Sequence, residues 1–209
     1  YFHVDAAQGF GKEIDALHHP RIDLISASGH KIHAPQGIGA LIVRRRGRQR
    51  APLAPLLHGG GQELGLRSGT LPVALIASFG HAAELALEES AGRAAACRAF
   101  RRRLAEGLRP LEPVLNGDPA LTVPNMVNLS LPGVDAEAVM EAWHGLAAVS
   151  NGAACASQSY TCSHVLSAMR LSEERKAGAL RLSWCHMTPA PDFPRMVESV
   201  RALQTSVVP

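Results

Sequence analysis

Three short apolar runs separated by turns fill the first 43 residues, and they constrain the fold more than any other feature of the chain. His3-Val4-Asp5-Ala6 reads as a strand that ends at a polar residue. Ile22-Asp23-Leu24-Ile25-Ser26, after Pro20, reads as a second. Ile38-Gly39-Ala40-Leu41-Ile42-Val43, bounded by Pro35 and a run of arginines, reads as a third. Strands that are apolar almost without interruption belong in sheets covered on both faces, the arrangement of α/β folds.

Further along, residues 58–70 form a polar, glycine-rich loop, His58-Gly59-Gly60-Gly61-Gln62-Glu63 and then Arg67-Ser68-Gly69-Thr70. After Pro72 the period changes to helical, with Ile76, Phe79, Ala83, Ala86 and Leu87 on one face. The pattern runs to about Leu108, where Pro110 ends it, and predicts one long connecting helix. The remainder predicts a small α+β domain. Val127, Leu129 and Leu131 alternate with Asn128 and Ser130 as a half-buried strand, and Asp135 can cap a helix carrying Val139, Met140 and Trp143. Ala147 to Ser150 reads as a short strand, and residues 151–161 as a loop of small residues. Leu180, Leu182 and Trp184 alternate with Arg181 and Ser183, and Thr188-Pro189 opens a last helix. The division expected is 1–92 and 93–209.

Charge excludes little but directs attention. Twenty-one basic and 18 acidic residues give a net charge of +3, too balanced to argue for direct nucleic-acid binding. The cluster Arg44, Arg45, Arg46, Arg48 and Arg50 reads as a solvated loop, with a polyanion patch as the alternative. No apolar run approaches the ~20 residues of a membrane helix, so no spanning role is expected. Only Lys12, Lys31 and Lys176 can supply a lysine amine. The four cysteines, at 97, 155, 162 and 185, form no C-x-x-C pair, which argues against a zinc site and against a disulfide framework. No metal site is expected, and a reduced, cytoplasmic setting is.

Four places can carry chemistry. Lys31 follows the second strand within Ser28-Gly29-His30-Lys31, where open α/β sheets bind ligands, and a desolvated lysine can form a Schiff base with an aldehyde. A surface lysine is the alternative. Asp5 ends the first strand, with Gln8 a turn later; a carboxylate there can face a cationic ring nitrogen or simply start a turn. Cys155 lies among small residues in Ser150-Asn151-Gly152-Ala153-Ala154-Cys155-Ala156-Ser157, as a mobile thiol or a buried structural one. Arg181 points away from Leu180 and Leu182, and its fork suits either a substrate carboxylate or a surface ion pair.

Taken in order, these strings resemble the cysteine desulfurases, pyridoxal-phosphate enzymes of fold type I. The matching strings are HVDAAQ at 3–8, SGHK at 28–31, GIGAL at 37–41, HGGGQE at 58–63, RSGTLPV at 67–73 and SNGAACAS at 150–157, together with the Leu180–Ser183 strand. The resemblance runs over essentially all 209 residues. It implies the C-terminal part of a fold type I large domain, with a mixed, mostly parallel sheet, plus a small α+β C-terminal domain. The form of the cysteine loop resembles the long-loop group.

The resemblance implies pyridoxal 5'-phosphate as cofactor, with Lys31 holding it covalently, Asp5 on the pyridine nitrogen, Gln8 on the phenolic oxygen, and Ser28 and His30 on the phosphate. Thr70 would reach the phosphate of a neighbouring subunit, which implies a homodimer. Arg181 would bind the carboxylate of L-cysteine. Cys155 would take the substrate sulfur as a persulfide, release alanine and pass the sulfur to an acceptor protein. Family acceptors serve iron–sulfur scaffolds, tRNA thiolation and DNA phosphorothioation, and the last is the branch expected here. A selenocysteine lyase, an aminotransferase and a cofactor-free sulfur-carrier module are the alternatives; a loop thiol has no use in an aminotransferase. The family chain is about twice as long, so a further half of the cofactor pocket is expected outside this sequence. Trp184-Cys185-His186-Met187-Thr188 departs from the commoner family string, and Cys162 is unusual, a helix-start residue or an oxidative partner of Cys155.

Overall fold

The computed structural model describes residues 1–151 and 163–206. It divides into two compact units, Tyr1–Ala91 and Gly92–Pro209.

The first unit holds a three-stranded mixed sheet. Strand β1 (His3–Asp5) lies parallel to β2 (Leu24–Ser28), which pairs antiparallel with β3 (Gly39–Val43). The short helix α1 (Ile14–Leu17) lies on the crossover between the parallel strands. The register sets Asp5 opposite Ser26 and Ser28 opposite Gly39, so β1 and β2 finish side by side. The second strand starts at Leu24, two residues later than the sequence predicts. The reason is Asp23, whose carboxylate is committed to the chain around it and whose carbonyl accepts from Arg44 N–H.

Helix α2 (Val73–Glu88) buries Ala82 and Ala86 against Ile32 and Ala34, with Phe10, Ile38 and Phe79 packed around them. Close approach is possible because Gly11 lacks a side chain: a Cβ there would meet Ile32 Cγ2 at 2.8 Å. Expected cover on both sheet faces is not met at β3, where Leu41 and Ile42 are 50% and 41% exposed. The buried cluster of this unit, among the described residues, joins α2 to the turn that follows β2.

The single long helix expected from Pro72 to Leu108 is two helices, α2 and α3 (Ser90–Leu108). Glu89 breaks them, with φ −95° and ψ 5°. Two glutamates at the negative end of α2, followed by Ser90 and Gly92, are poor residues for continuing a helix.

The second unit packs α3, α4 (Ala136–Ala142) and α7 (Phe193–Ser206) onto one face of an antiparallel sheet, β4 (Val114–Leu115), β5 (Met126–Ser130) and β6 (Ala179–Ser183). Val127 pairs with Leu182 and Leu129 with Leu180, and all four enter the core with Leu108, Val139, Trp143 and Met196. Both buried indoles are satisfied: Trp143 Nε1 donates to Met196 O and Trp184 Nε1 to Cys97 O, each at 3.0 Å. Asp135 caps α4 as the sequence predicts, accepting from Glu137 and Ala138 N–H. Among the described residues, the predicted strand 147–150 is reduced to one bridge, Ser150 with Arg181. Helices α5 (His164–Ala168) and α6 (Glu173–Ala177) are too short to show a period, and α7 starts at Phe193, past Pro189 and Pro191.

Candidate active site

The C-terminal end of the β1–β2 pair gathers four of the residues singled out from the sequence. Asp5 ends β1, and one of its carboxylate oxygens accepts from Ala7 N–H at 3.0 Å, an Asx turn that leads the chain off the sheet. Its second oxygen has no hydrogen-bond partner among the described residues. Gln8, exposed, follows within it. Beside it, β2 ends at Ser28 and continues into a 3-10 turn, Gly29–Ile32. Ser28 Oγ lies 3.0 Å from His30 Nδ1, forming a hydroxyl–imidazole pair. Two residues back along each strand, His3 Nε2 contacts Ser26 Oγ at 2.7 Å, tying the two parallel strands together by side chains as well as by backbone.

Lys31 sits in that turn because its neighbours are fixed. Ile32 is 3% exposed and anchored under α2. Gly29 donates to Ile38 O at 2.9 Å, and a Cβ on it would stand 2.8 Å from Ile38 Cγ2. Gly39 likewise leaves room only for Ala27 O, 2.7 Å from where its Cβ would be. The turn is therefore clamped against β3 by two glycines, and Lys31 is carried half-buried on it. The Lys31 amine makes no hydrogen bond or ion pair among the described residues. A half-buried amine without an acid beside it is suited to covalent work on an aldehyde.

These residues fit pyridoxal phosphate in kind: an amine without a partner, a hydroxyl–imidazole pair able to hold an anion, and a carboxylate with acceptor capacity to spare for a cationic ring nitrogen. Thr70 is not brought to them. It lies exposed on the loop before α2, where Gly69 N–H donates to Gln62 Oε1 at 3.1 Å. Arg181 belongs to the second unit, half-buried on β6. Its backbone exchanges hydrogen bonds of 2.6 and 3.2 Å with Ser150, and on the other side it stands in register opposite Asn128 of β5. Cys155 and Cys162 lie outside the described residues; Ser150, the root of the cysteine-bearing segment, is the backbone neighbour of Arg181.

Two features escape the sequence reading. The arginine run is not simply solvated: Arg46 Nε donates to Asp23 Oδ1 at 2.7 Å and its Nη2 to Pro20 O at 3.0 Å, while Arg44 Nη2 reaches His18 O. Asn128 is the cross-strand partner of Arg181, and its alternation with Val127 and Leu129 was the available signal for its face but not for its neighbour.

The family described as aminotransferase class-V matches residues 1–190. A curated relative, cysteine desulfurase IscS from Escherichia coli O139:H28, is 43% identical over 201 residues, 96% of this chain and 49% of the relative. The chain thus spans about half the length of the curated relatives it matches. Among solved structures, DndA from Streptomyces lividans is 46% identical with a TM-score of 0.73, over 88% of this chain and 52% of that one. SspA in complex with cysteine is 34% identical with a TM-score of 0.64, over 87% of this chain and 49% of that one. The fold is shared with about half of each of these chains, and the family match runs from the first strand nearly to the last helix. The chain belongs to the aminotransferase class-V family, and within that family it is similar to the cysteine desulfurases.

Proposed function

We propose that the protein bearing this chain is a pyridoxal-phosphate cysteine desulfurase that converts L-cysteine to L-alanine. The observation that carries the reading is the placing of Asp5, Ser28, His30 and Lys31, whose amine has no partner among the described residues, at the C-terminal end of two parallel strands. Support comes from the similarity to cysteine desulfurase IscS, and from SspA, a relative at 34% identity captured with cysteine.

Lys31 would hold the cofactor through its amine, Ser28 and His30 would hold the phosphate, and Asp5 would keep the proton on the pyridine nitrogen. Gln8 would donate to the phenolic oxygen. The bound cofactor supplies an electron sink for the substrate carbon. With substrate bound, the Lys31 amine would be the base that takes and holds the proton from the substrate Cα. Arg181 clamps the substrate carboxylate, which fixes the sulfur's direction. Cys155, as thiolate, takes the sulfur: the substrate C–S bond breaks, an S–S bond forms on Cys155, and the carbon gains a proton to leave as alanine. The sulfur is oxidised to the persulfide level as the carbon is reduced, so no outside redox partner is needed. The persulfide then passes to an acceptor protein in the cytoplasm. Leu56 and Leu64, 94% and 77% exposed on the loop leading to Thr70, support a homodimer in which a partner subunit covers them.

The test uses the full-length protein. Borohydride reduction should fix the cofactor on Lys31, and Lys31→Ala should abolish the adduct. Cys155→Ser should keep the adduct and lose persulfide formation. An adduct retained by Lys31→Ala removes that lysine from its role; normal turnover by Cys155→Ser with an acceptor present removes the cysteine from its own.

A further inference from the structure

The face of the second unit's sheet that points away from the core carries Met126, Asn128 and Ser130 of β5 opposite Ser183, Arg181 and Ala179 of β6, and a polar row crosses it at Asn128. Asn128 and Arg181 are directly opposed across β5 and β6, so their side chains leave the same face. The β4–β5 register continues to Asn116, whose N–H donates to Asn128 O at 2.9 Å. Ser150 faces Arg181 from the other edge. The row reads Asn116, Asn128, Arg181, Ser150.

Hydrogen-bond chemistry fixes which way the amides in this row point. Arg175 has donors only, and its Nη2 lies 2.6 Å from the Asn116 side chain, so Asn116 must present its oxygen there. The same Nη2 donates to Leu115 O at 2.9 Å. The Asn116 amide nitrogen therefore faces the other way, donating to Ser130 Oγ at 2.8 Å and to Asn128 at 2.7 Å. Ser130 in turn gives its proton to Arg175 O at 2.6 Å. Asn116 and Ser130 are 8% and 2% exposed, so an amide rotated the wrong way would leave buried groups unpaired. Asn128 must accept from Asn116 with its oxygen, and its NH2 is left to face outward. That NH2 and the Arg181 guanidinium have no hydrogen-bond partner among the described residues.

We propose that Asn128 is a specificity-determining residue that donates to the substrate carboxylate beside Arg181, with Asn116 and Arg175 holding its amide in the donor orientation. The inference rests on the reading of Arg181 as the carboxylate-binding residue. An arginine alone accepts any anion; two donors of different kind in a fixed row select a planar carboxylate.

The experiment measures calorimetric binding of two probes to the full-length, cofactor-loaded protein: 3-mercaptopropionate, which keeps the thiol and carboxylate of cysteine, and cysteamine, which lacks the carboxylate. Asn128→Asp is nearly isosteric and can still accept from Asn116, but it sets a negative charge beside the ligand. Asn128→Leu only removes the donor. The expected loss of 3-mercaptopropionate affinity is about tenfold or more for Asn128→Asp and about threefold for Asn128→Leu, with cysteamine unchanged. A purely structural asparagine gives the reverse order, since the isostere keeps the Asn116 contact and leucine does not. That reverse order, or an equal loss for cysteamine, overturns the inference while Arg181→Ala still shows the arginine's role. Should Asn128→Asp fail to fold, unchanged 3-mercaptopropionate binding by Asn128→Leu overturns it equally. If Arg181→Ala leaves 3-mercaptopropionate binding intact, the arginine reading falls and the inference with it.

Discussion

Asp23 shows how a residue with no part in the chemistry can govern the ground on which the chemistry stands. It is 5% exposed, and its carboxylate accepts from Phe2 N–H at 2.8 Å, from Arg46 Nε at 2.7 Å and from Arg21 Nη1 at 3.1 Å. The Phe2 N–H first, and then the Arg46 guanidinium, hold its carboxyl below the usual aspartate range. A lowered folded-state pKa means that the unfolded chain binds the extra proton first. The stabilisation is therefore complete above the unfolded aspartate value of about 3.9 and is lost as pH falls through the lower folded value. Because Phe2 and Asp23 bracket the start of the β1–β2 pair, acid should loosen the strands that carry Asp5 and Ser28. The expected outcome is that the melting temperature of the parent falls on going from neutral pH into the acid range, and that Asp23→Asn starts lower at neutral pH and falls less. Parallel melting curves for parent and variant at every pH would contradict it.

At the scale of elements, the second unit is held by helices that lie close to one another, and one glycine decides how close. A Cβ on Gly107 of α3 would overlap the ring of Phe193 at the start of α7. Gly92 of the same helix has nothing within 4 Å of the same position. Glycine to alanine in a helix ordinarily gains about 1 kcal/mol, so Gly92→Ala should stabilise. At Gly107 an overpacking cost of about 1–3 kcal/mol opposes that gain, so Gly107→Ala should destabilise. Opposite signs in urea unfolding check this; equal signs would mean that Phe193 swings aside freely. The same contrast separates what the sequence discloses from what it hides. The alternation around Val127–Leu131 and Leu180–Trp184 identified both strands and the inward faces of each, because a period of two is local. The cross-strand meeting of Asn128 with Arg181 was hidden, since it depends on a register between segments more than 50 residues apart. The break at Glu89 was hidden for the opposite reason: the apolar period continues across it, and only weak helix formers mark the place. Of the candidate site, Lys31, Ser28, His30 and Asp5 were legible as strand-end residues; what brings them together is the parallel pairing of β1 with β2, which no local pattern encodes.

Across the whole molecule, the two units differ in how far each can sustain itself. The second unit has its own continuous core, from Cys97 and Leu104 through Leu129, Val139, Trp143, Leu180 and Val200, with both indoles hydrogen-bonded. Among the described residues sixteen buried side chains form that cluster, against four in the first unit. The first unit also contains an apolar cavity of ≈ 460 Å³, lined by Phe10, Ile14, Ile25, Ile42, Ala83 and Leu87. Its third strand leaves Leu41 and Ile42 in solvent, with the outer edge of β3 unpaired among the described residues. Exposed apolar surface and an open strand edge are the conditions under which chains associate rather than fold alone. A cluster of four small buried side chains offsets little of the ~1–2 kcal/mol of conformational entropy lost per ordered residue. Residues 92–209 expressed alone should therefore unfold in one cooperative thermal transition, and residues 1–91 alone should show none and should sediment as aggregates. Circular dichroism melts and sedimentation velocity on the two pieces test this directly. A cooperative, monomeric 1–91 would mean that β3 and the cavity wall find cover within the unit itself. A non-cooperative 92–209 would mean that its core, although continuous, depends on the first unit for stability.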